Sequence, residues 1–179
     1  MPEEVVIFEK TFERFITESV IMERVKNLAG QISEDIKDAE PVFIPILNGS
    51  FYFAADLLKH IDFPYEVSFV KMSSYTGLGA GETINTVIGL DKSLKNRNIV
   101  LIEDIIDSGR TINNLQNQLK DIAVSDIKIA SLIFKPGAVK YPINPDYVGF
   151  EAEDGFLIGY GLDFDGKGRH YKDIYKLKE

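Results

Sequence analysis

Residues 99–111, Ile-Val-Leu-Ile-Glu-Asp-Ile-Ile-Asp-Ser-Gly-Arg-Thr, constrain the fold of this chain more than any other stretch. Four consecutive apolar residues, Ile99 to Ile102, read as a parallel strand covered on both faces, because a half-exposed strand would alternate. Glu103 and Asp104 then put two adjacent carboxylates at its carboxyl end, where they do little for packing. Asp107, Ser108, Gly109, Arg110 and Thr111 follow, and after them apolar residues at helical spacing: Ile112, Leu115, Leu119 and Ile122. The order is strand, acidic crest, small-residue loop, helix N-terminus. Open α/β sheets bind ligands in the crevice beyond their strand ends. Free backbone N–H groups and the positive end of the helix dipole suit a phosphate there. A phosphate beside two acids able to hold ribose hydroxyls describes a site for a phosphorylated sugar.

The rest of the chain supplies more strands and helices in alternation. Ile21, Val25, Leu28, Ile32 and Ile36 predict an amphipathic helix that Thr17 could cap, and Pro41 ends that region. Val42 to Leu47 reads as a core strand, with Pro45 either near its end or against the assignment. Asn48-Gly49-Ser50 is a turn, and 51–61 is a helix. Residues 65–72, 86–90 and 127–134 read as further strands. Segment 73–83, with Gly77, Gly79 and Gly81 close together, reads as a loop. Past Tyr147 come short strands and turns. The expected fold is α/β: one domain over residues 1–179, a central parallel sheet flanked by helices, and a small cap from the chain's two ends. A length of 179 residues supports a real core.

Val100 to Thr111 also resembles the phosphoribosyl-diphosphate (PRPP) signature of the type I phosphoribosyltransferases. The form Glu-Asp-Ile-Ile-Asp-Ser-Gly-Arg-Thr is most similar to the hypoxanthine-guanine branch, and the resemblance extends from about Pro41 to the C-terminus. It implies that Glu103 and Asp104 hold the ribose hydroxyls, directly or through Mg2+. They would also oppose the positive charge that grows on the ribose. Their bland reading is a pair of ordinary surface acids. Asp107 is locally a good N-cap; the resemblance makes it the acid–base group facing N7 of the purine. Ser108, Gly109 and Thr111 would cradle the 5′-phosphate, with Arg110 beside them as an outward charge.

Other segments acquire roles in the same way. Lys135 follows an apolar run, and a lysine there is usually solvated. By resemblance its Lys-Pro-Gly segment carries the donor to a 6-oxo group. Phe156 alone reads as core; the resemblance implies a ring stacked on the purine, worth ~1 kcal/mol. Leu157 would pair with the base edge through its backbone, with Asp163 near the base and a second metal. Arg169 would meet diphosphate. Asn48 and Gly49 occupy the diphosphate loop; many members have lysine where this chain has Asn48, which leaves backbone N–H groups as the main donors. Ser74 and Tyr75 open a segment, 73–83, that resembles a mobile lid over the sugar.

Composition excludes several classes. A net charge of -8 and a pI near 4.9 argue against a nucleic-acid-binding face. There is no cysteine, hence no disulfide or thiol chemistry, which is compatible with a cytoplasmic location. The acidic start, Met1-Pro-Glu-Glu, predicts neither signal peptide nor membrane span. His60 and His170 lack partners for a zinc site or a Ser-His-Asp triad. Gly161 to Gly168 nearly spells a P-loop but lacks its final Ser or Thr and a following helix. The resemblance implies phosphoribose transfer from PRPP to hypoxanthine or guanine, giving IMP or GMP and diphosphate, in a homodimer or homotetramer. Rival readings are a xanthine-preferring sibling, an RNA-binding regulator on the same fold, and a nucleotide-binding domain without chemistry. The last leaves Asp107, Lys135 and the lid without a purpose.

Overall fold

Strand runs with no polar face must be sandwiched, and the helices have one apolar stripe each to do it. The computed structural model describes residues 2–75, 83–90 and 92–178. In chain order its elements are β1 (Glu4–Ile7), β2 (Lys10–Ile16), α1 (Glu18–Ile36), β3 (Val42–Leu47), α2 (Phe51–Lys59), β4 (Glu66–Val67) and β5 (Val70–Tyr75). They continue with β6 (Thr83–Ile88), β7 (Asn98–Ile106), α3 (Arg110–Ile122), β8 (Asp126–Phe134), β9 (Tyr147–Glu151), β10 (Leu157–Ile158) and β11 (Ile174–Leu177). The main sheet runs β6-β5-β3-β7-β8-β9, with β4 also beside β3. All its pairings are parallel except β5 with β6.

The pleat divides each central strand between two cores. Phe43, Val100 and Ile102 pack with Ile21, Val25, Leu28 and Ile32 of α1 and with Phe53 and Leu57 of α2. Val42, Ile44, Ile99 and Leu101 pack instead with Ile112, Leu115 and Leu119 of α3. Period two in the strands and period 3.6 in the helices thus meet in three layers. The chain's ends build a second sheet, antiparallel throughout, in the order β1-β2-β11-β10. Its own core holds Val5, Ile7, Phe12, Ile158 and Tyr175. We call it the hood; it is the cap that the sequence predicts.

Local boundaries differ from the sequence reading in four places. The strand expected over 65–72 is two pieces, β4 and β5; β5 carries on through Ser73, Ser74 and Tyr75, which the sequence assigns to a loop, and its partner β6 spans Thr83–Ile88 rather than 86–90. The last strand residue before the crest is not the end of pairing either. β7 continues past Asp104, with Ile105 opposite Ile133 and Ile106 opposite Phe134. The second helix stops at Lys59 rather than at Ile61. Pro45 is tolerated in mid-strand: the Phe43 carbonyl accepts from Ser68 at 3.0 Å, so groups two residues on face the same neighbour, and that neighbour is broken between Val67 and Val70. The missing N–H of Pro45 falls at the break.

The fourth difference is the cap of α1. Thr17 occupies the N-cap position, but its side chain makes no capping bond and contacts Ser19 Oγ at 3.1 Å. The first N–H, of Glu18, donates to Asp173 Oδ1 at 2.7 Å. Asp173 is only 4% exposed and leads into β11, so the hood caps the helix with a buried negative charge at its positive end. Replacing Asp173 by Ala is expected to cost about 1–2 kcal/mol in urea unfolding, against a few tenths for Thr17→Ala. An equal or larger loss for Thr17→Ala would return the cap to Thr17.

Candidate active site

The parallel pairing of β3 with β7 sets Val42 beside Ile99 and Pro45 beside Ile102. From β3 the sheet grows one way, to β5, and from β7 the other, to β8. The crevice between their carboxyl ends is therefore the switch point at which such sheets bind ligands. The turn after β3 and the crest of β7 meet there. Gly49 lies so close to Asp104 that an added Cβ would sit 1.6 Å from its Oδ2. The Leu47–Asn48 peptide is cis, Asn48 is exposed, and the buried Ser50 hydroxyl donates back to the Ile46 carbonyl at 2.6 Å.

Glu103 and Asp104 are not surface acids. They are 8% and 9% exposed, and Glu103 Oε2 has no hydrogen-bond partner. Burial pushes the Glu103 carboxyl well above its ordinary range, and the adjacent Asp104 charge pushes it further. Burial also pushes Asp104 up, to about 6, against the pull of the Ile105 backbone N–H and of Arg169. Two adjacent acids held out of water are a standing cost that the Arg169 charge offsets only in part. The donors are hard oxygens, and the orphaned carboxylate oxygen leaves coordinating capacity free, which fits a cation such as Mg2+. Among the described residues no three His, Cys, Asp or Glu come together as one cluster. Asp163 holds Arg169, whose charge also reaches Asp104, at 2.7 Å and accepts from the Gly166 N–H at 2.7 Å. Arg169 in turn donates to the Gly161 carbonyl at 2.6 Å.

After the crest the backbone turns through Gly109, at φ +78°, into α3. That glycine is the N-cap residue, so Asp107 is not the cap. The Asp107 side chain is 57% exposed and stands 3.5 Å from Lys135 Nζ. A cavity of about 90 Å³ is lined by Glu103 and by residues 105–112. Ser108, Thr111 and the half-buried Arg110 all border it. The first N–H groups of α3 lack partners within the helix by geometry, so the cavity has backbone donors of the kind an anion needs.

Lys135 is buried, 6% exposed, against the usual behaviour of a lysine at a strand end. Its ammonium donates to the Gly155 carbonyl at 2.9 Å. A cleft of about 360 Å³ opens beside it, with Pro136, Gly137 and Ala152 in its wall. Phe156 is 45% exposed, which overturns the core reading; Phe164 meets its ring edge-on at 5.4 Å. Leu157 is buried, in the edge strand of the hood. The Leu177 N–H donates to the Phe156 carbonyl, so the backbone groups of Leu157, one residue on, face the open edge. Ser74 and Tyr75 lie in β5, and residues 76–82 of the expected lid are outside the described residues. His60 is exposed at the end of α2, as expected, and His170 stacks against Tyr171 at 4.3 Å. Gly155 was not singled out by sequence reasoning; its signal was a glycine next to the exposed phenylalanine.

Residues 17–165 match the family model described as phosphoribosyl transferase domain. The hypoxanthine-guanine phosphoribosyltransferase of Bacillus subtilis (strain 168) is 39% identical over 165 residues, 91% of each chain. The hypoxanthine-guanine-xanthine phosphoribosyltransferase of Tritrichomonas foetus is 36% identical over 89% of this chain and 87% of its own. Among solved structures, a hypoxanthine phosphoribosyltransferase from Staphylococcus aureus superposes with a TM-score of 0.86 at 34% identity, covering 93% of this chain and 91% of that one. A switch-point crevice with an acidic crest and an anion cradle, and relatives of this breadth, lead to one conclusion: the chain belongs to the phosphoribosyltransferase family, among the hypoxanthine-guanine phosphoribosyltransferases.

Proposed function

We propose that the chain transfers 5-phosphoribose from PRPP to N9 of hypoxanthine or guanine, giving IMP or GMP and diphosphate. The observation that carries this reading is the buried Lys135 ammonium between Asp107 and the carbonyl before an exposed aromatic ring. The 5′-phosphate sits in the cradle of Ser108, Gly109, Arg110 and Thr111. Glu103 and Asp104 take the ribose hydroxyls and oppose the cationic sugar of the transition state. Asn48 and Gly49 supply backbone N–H groups to diphosphate, and Arg169 adds positive charge. Phe156 stacks on the purine, Leu157 pairs with its edge, and Lys135 donates to its 6-oxo group. Asp107 takes or returns the N7 proton as the glycosidic bond exchanges. Ser74 and Tyr75 open a segment that closes over the sugar and excludes water.

Mg2+ bound by Glu103 and Asp104 would neutralise charge on the departing diphosphate. Asp163 remains a candidate for a second ion. By resemblance the protein works as a homodimer or homotetramer in the cytoplasm, and no helix of the described residues is long and apolar enough to cross a membrane. The net charge of -8 disfavours the RNA-binding regulator. Xanthine as a further substrate is a second reading, favoured by the name of the Tritrichomonas relative.

The deciding experiment is turnover of PRPP with hypoxanthine, guanine, xanthine and adenine. Lys135 carries only donors, so adenine, with an amino group at position 6, sets donor against donor in a partly dry pocket. A site built on one hydrogen bond can reject such a base by ~10⁴-fold. Hypoxanthine and guanine are expected to be used and adenine ignored. Xanthine should be poorer, because its 2-oxo group would meet the backbone carbonyls of Leu157 and Asp163. Lys135→Ala should narrow the preference over adenine; intact discrimination would remove Lys135 from base recognition.

Asp107→Asn is expected to fold normally, keep PRPP binding and lose turnover ~100-fold or more, since the amide cannot accept the proton. Near-normal single-turnover rates in this variant would end the acid–base assignment.

The third expectation concerns the crest. A carboxyl whose pKa rises on folding loses stability for the native state as pH climbs through the raised value. With Asp104 moved from 3.8 to about 6, Asp104→Asn in chelator should become more stable than the unmodified protein as pH rises from 4 to 7.5. The gain should reach on the order of 1–3 kcal/mol. Turnover in the unmodified protein should fail in the same chelator and return with Mg2+, not with Zn2+ alone, given the all-oxygen donor set. Full turnover in chelator, or a flat stability difference, would detach the crest from metal and charge.

A further inference from the structure

A buried lysine has to be oriented as well as paired, and the nearer acceptor of the Lys135 ammonium is the carbonyl of a glycine, Gly155. Gly155 sits at φ +147°, a conformation that side-chain-bearing residues rarely adopt. A Cβ there would also come 2.4 Å from Cε of Lys176, which lies on β11 with its ammonium 6.0 Å above the Phe15 ring. In this conformation the Gly155 carbonyl takes the Lys135 ammonium at 2.9 Å, a shorter bond than the 3.5 Å contact to Asp107. Asp107 is largely exposed and joins the ammonium from the solvent side, whereas Gly155 belongs to the same three residues as the exposed Phe156 ring and the Leu157 backbone.

We infer that Gly155 is a positioning residue for base selection: its carbonyl, fixed by a glycine-only backbone, aims the Lys135 ammonium at the 6-oxo group of the purine. This rests on the proposed function and extends it to a residue that touches no substrate. The ammonium has three donors. One is held by a neutral acceptor, which costs the lysine none of its charge, and the others remain for Asp107 and the base. With the Gly155 carbonyl turned away, the ammonium swings toward the carboxylate, its other hydrogen-bond partner among the described residues. The 6-oxo contact then weakens while stacking on Phe156 stays.

The test compares equilibrium binding of GMP with that of its analogue lacking the 6-oxo group, 2-aminopurine riboside 5′-monophosphate, whose fluorescence reports binding directly. In Gly155→Ala, GMP affinity should fall about 10-fold or more, the scale of one hydrogen bond to a charged group, while the analogue changes little. Lys176→Ala alone keeps the glycine and should leave the ratio unchanged. Replacing Phe156 by phenyllactate turns the Gly155 carbonyl into a weaker ester acceptor with every side chain retained. It should shift the ratio in the same direction even if Gly155→Ala does not fold. Parallel losses for both nucleotides would mean that Gly155 only supports the hood, and would overturn the inference. An unmodified protein that binds the two nucleotides equally would instead overturn the reading of Lys135 itself, and the inference with it.

Discussion

Parallel pairing between β3 and β7 is the contact on which the rest of the molecule depends. Its register puts Pro45 level with Ile102, so the chain leaving β3 and the acids near the carboxyl end of β7 emerge into the same crevice. A slip of one residue would turn Val42, Ile44, Ile99 and Leu101 away from α3 and toward α1 and α2. Both faces of this sheet are buried, and each of the two strands feeds both cores, so the register is specified twice. Precision in the core thereby becomes precision at the site. The Gly49 backbone can rest against the Asp104 carboxylate only because the strands beneath them cannot slide.

The electrostatics of the crevice oppose stability. Glu103 and Asp104 are buried side by side, with a carboxylate oxygen left without a partner, in a protein that already carries a net charge of -8. A sequence selected for stability alone would replace them with apolar residues. Their retention makes sense where a cation and a developing positive sugar supply the missing countercharge. The opposite arrangement holds at Lys135, where a buried cation already has a carbonyl and a carboxylate around it. One half of the crevice is thus left electrostatically incomplete, and the other is preset. That division matches a reaction in which charge moves on the sugar while the base must be recognised before anything moves.

What could be read from the sequence follows the range of the interactions involved. The central strands, the helix stripes from Ile21 to Ile36 and from Ile112 to Leu119, and the acidic crest are local patterns, and all reappear in the structure. The α1 cap was misread because its true acceptor, Asp173, lies 155 residues away from Glu18. Asp107 was open to reading as a cap because local propensity cannot say that Gly109, at positive φ, begins the helix instead. Phe156 looked like core because exposure of a large ring is decided by what fails to cover it. Strand residues Ser73 to Tyr75 carry no apolar alternation in the sequence, and their place in the sheet comes from the ladder with β6. Legibility ended where contacts became non-local.

The hood shows how such non-local contacts serve the site. Residues 2–16 lie outside the segment matched by the family model, yet β2 is the strand that β11 pairs with, and β11 holds β10. Phe12 of β2 is fully buried against Phe156 and Phe164. The segments flanking the hood's strands supply the cap of α1, through Asp173, and the Gly161 carbonyl, which accepts from Arg169 next to the Gly49 backbone. On the proposed reading, the platform for the base rests on a sheet joined from both chain ends, the part of the site with the highest sequence separation. The crest and cradle lie within residues 103–112 and rest on the β3–β7 pairing beneath them. Sugar recognition on that reading depends on the central sheet, and base recognition on the hood.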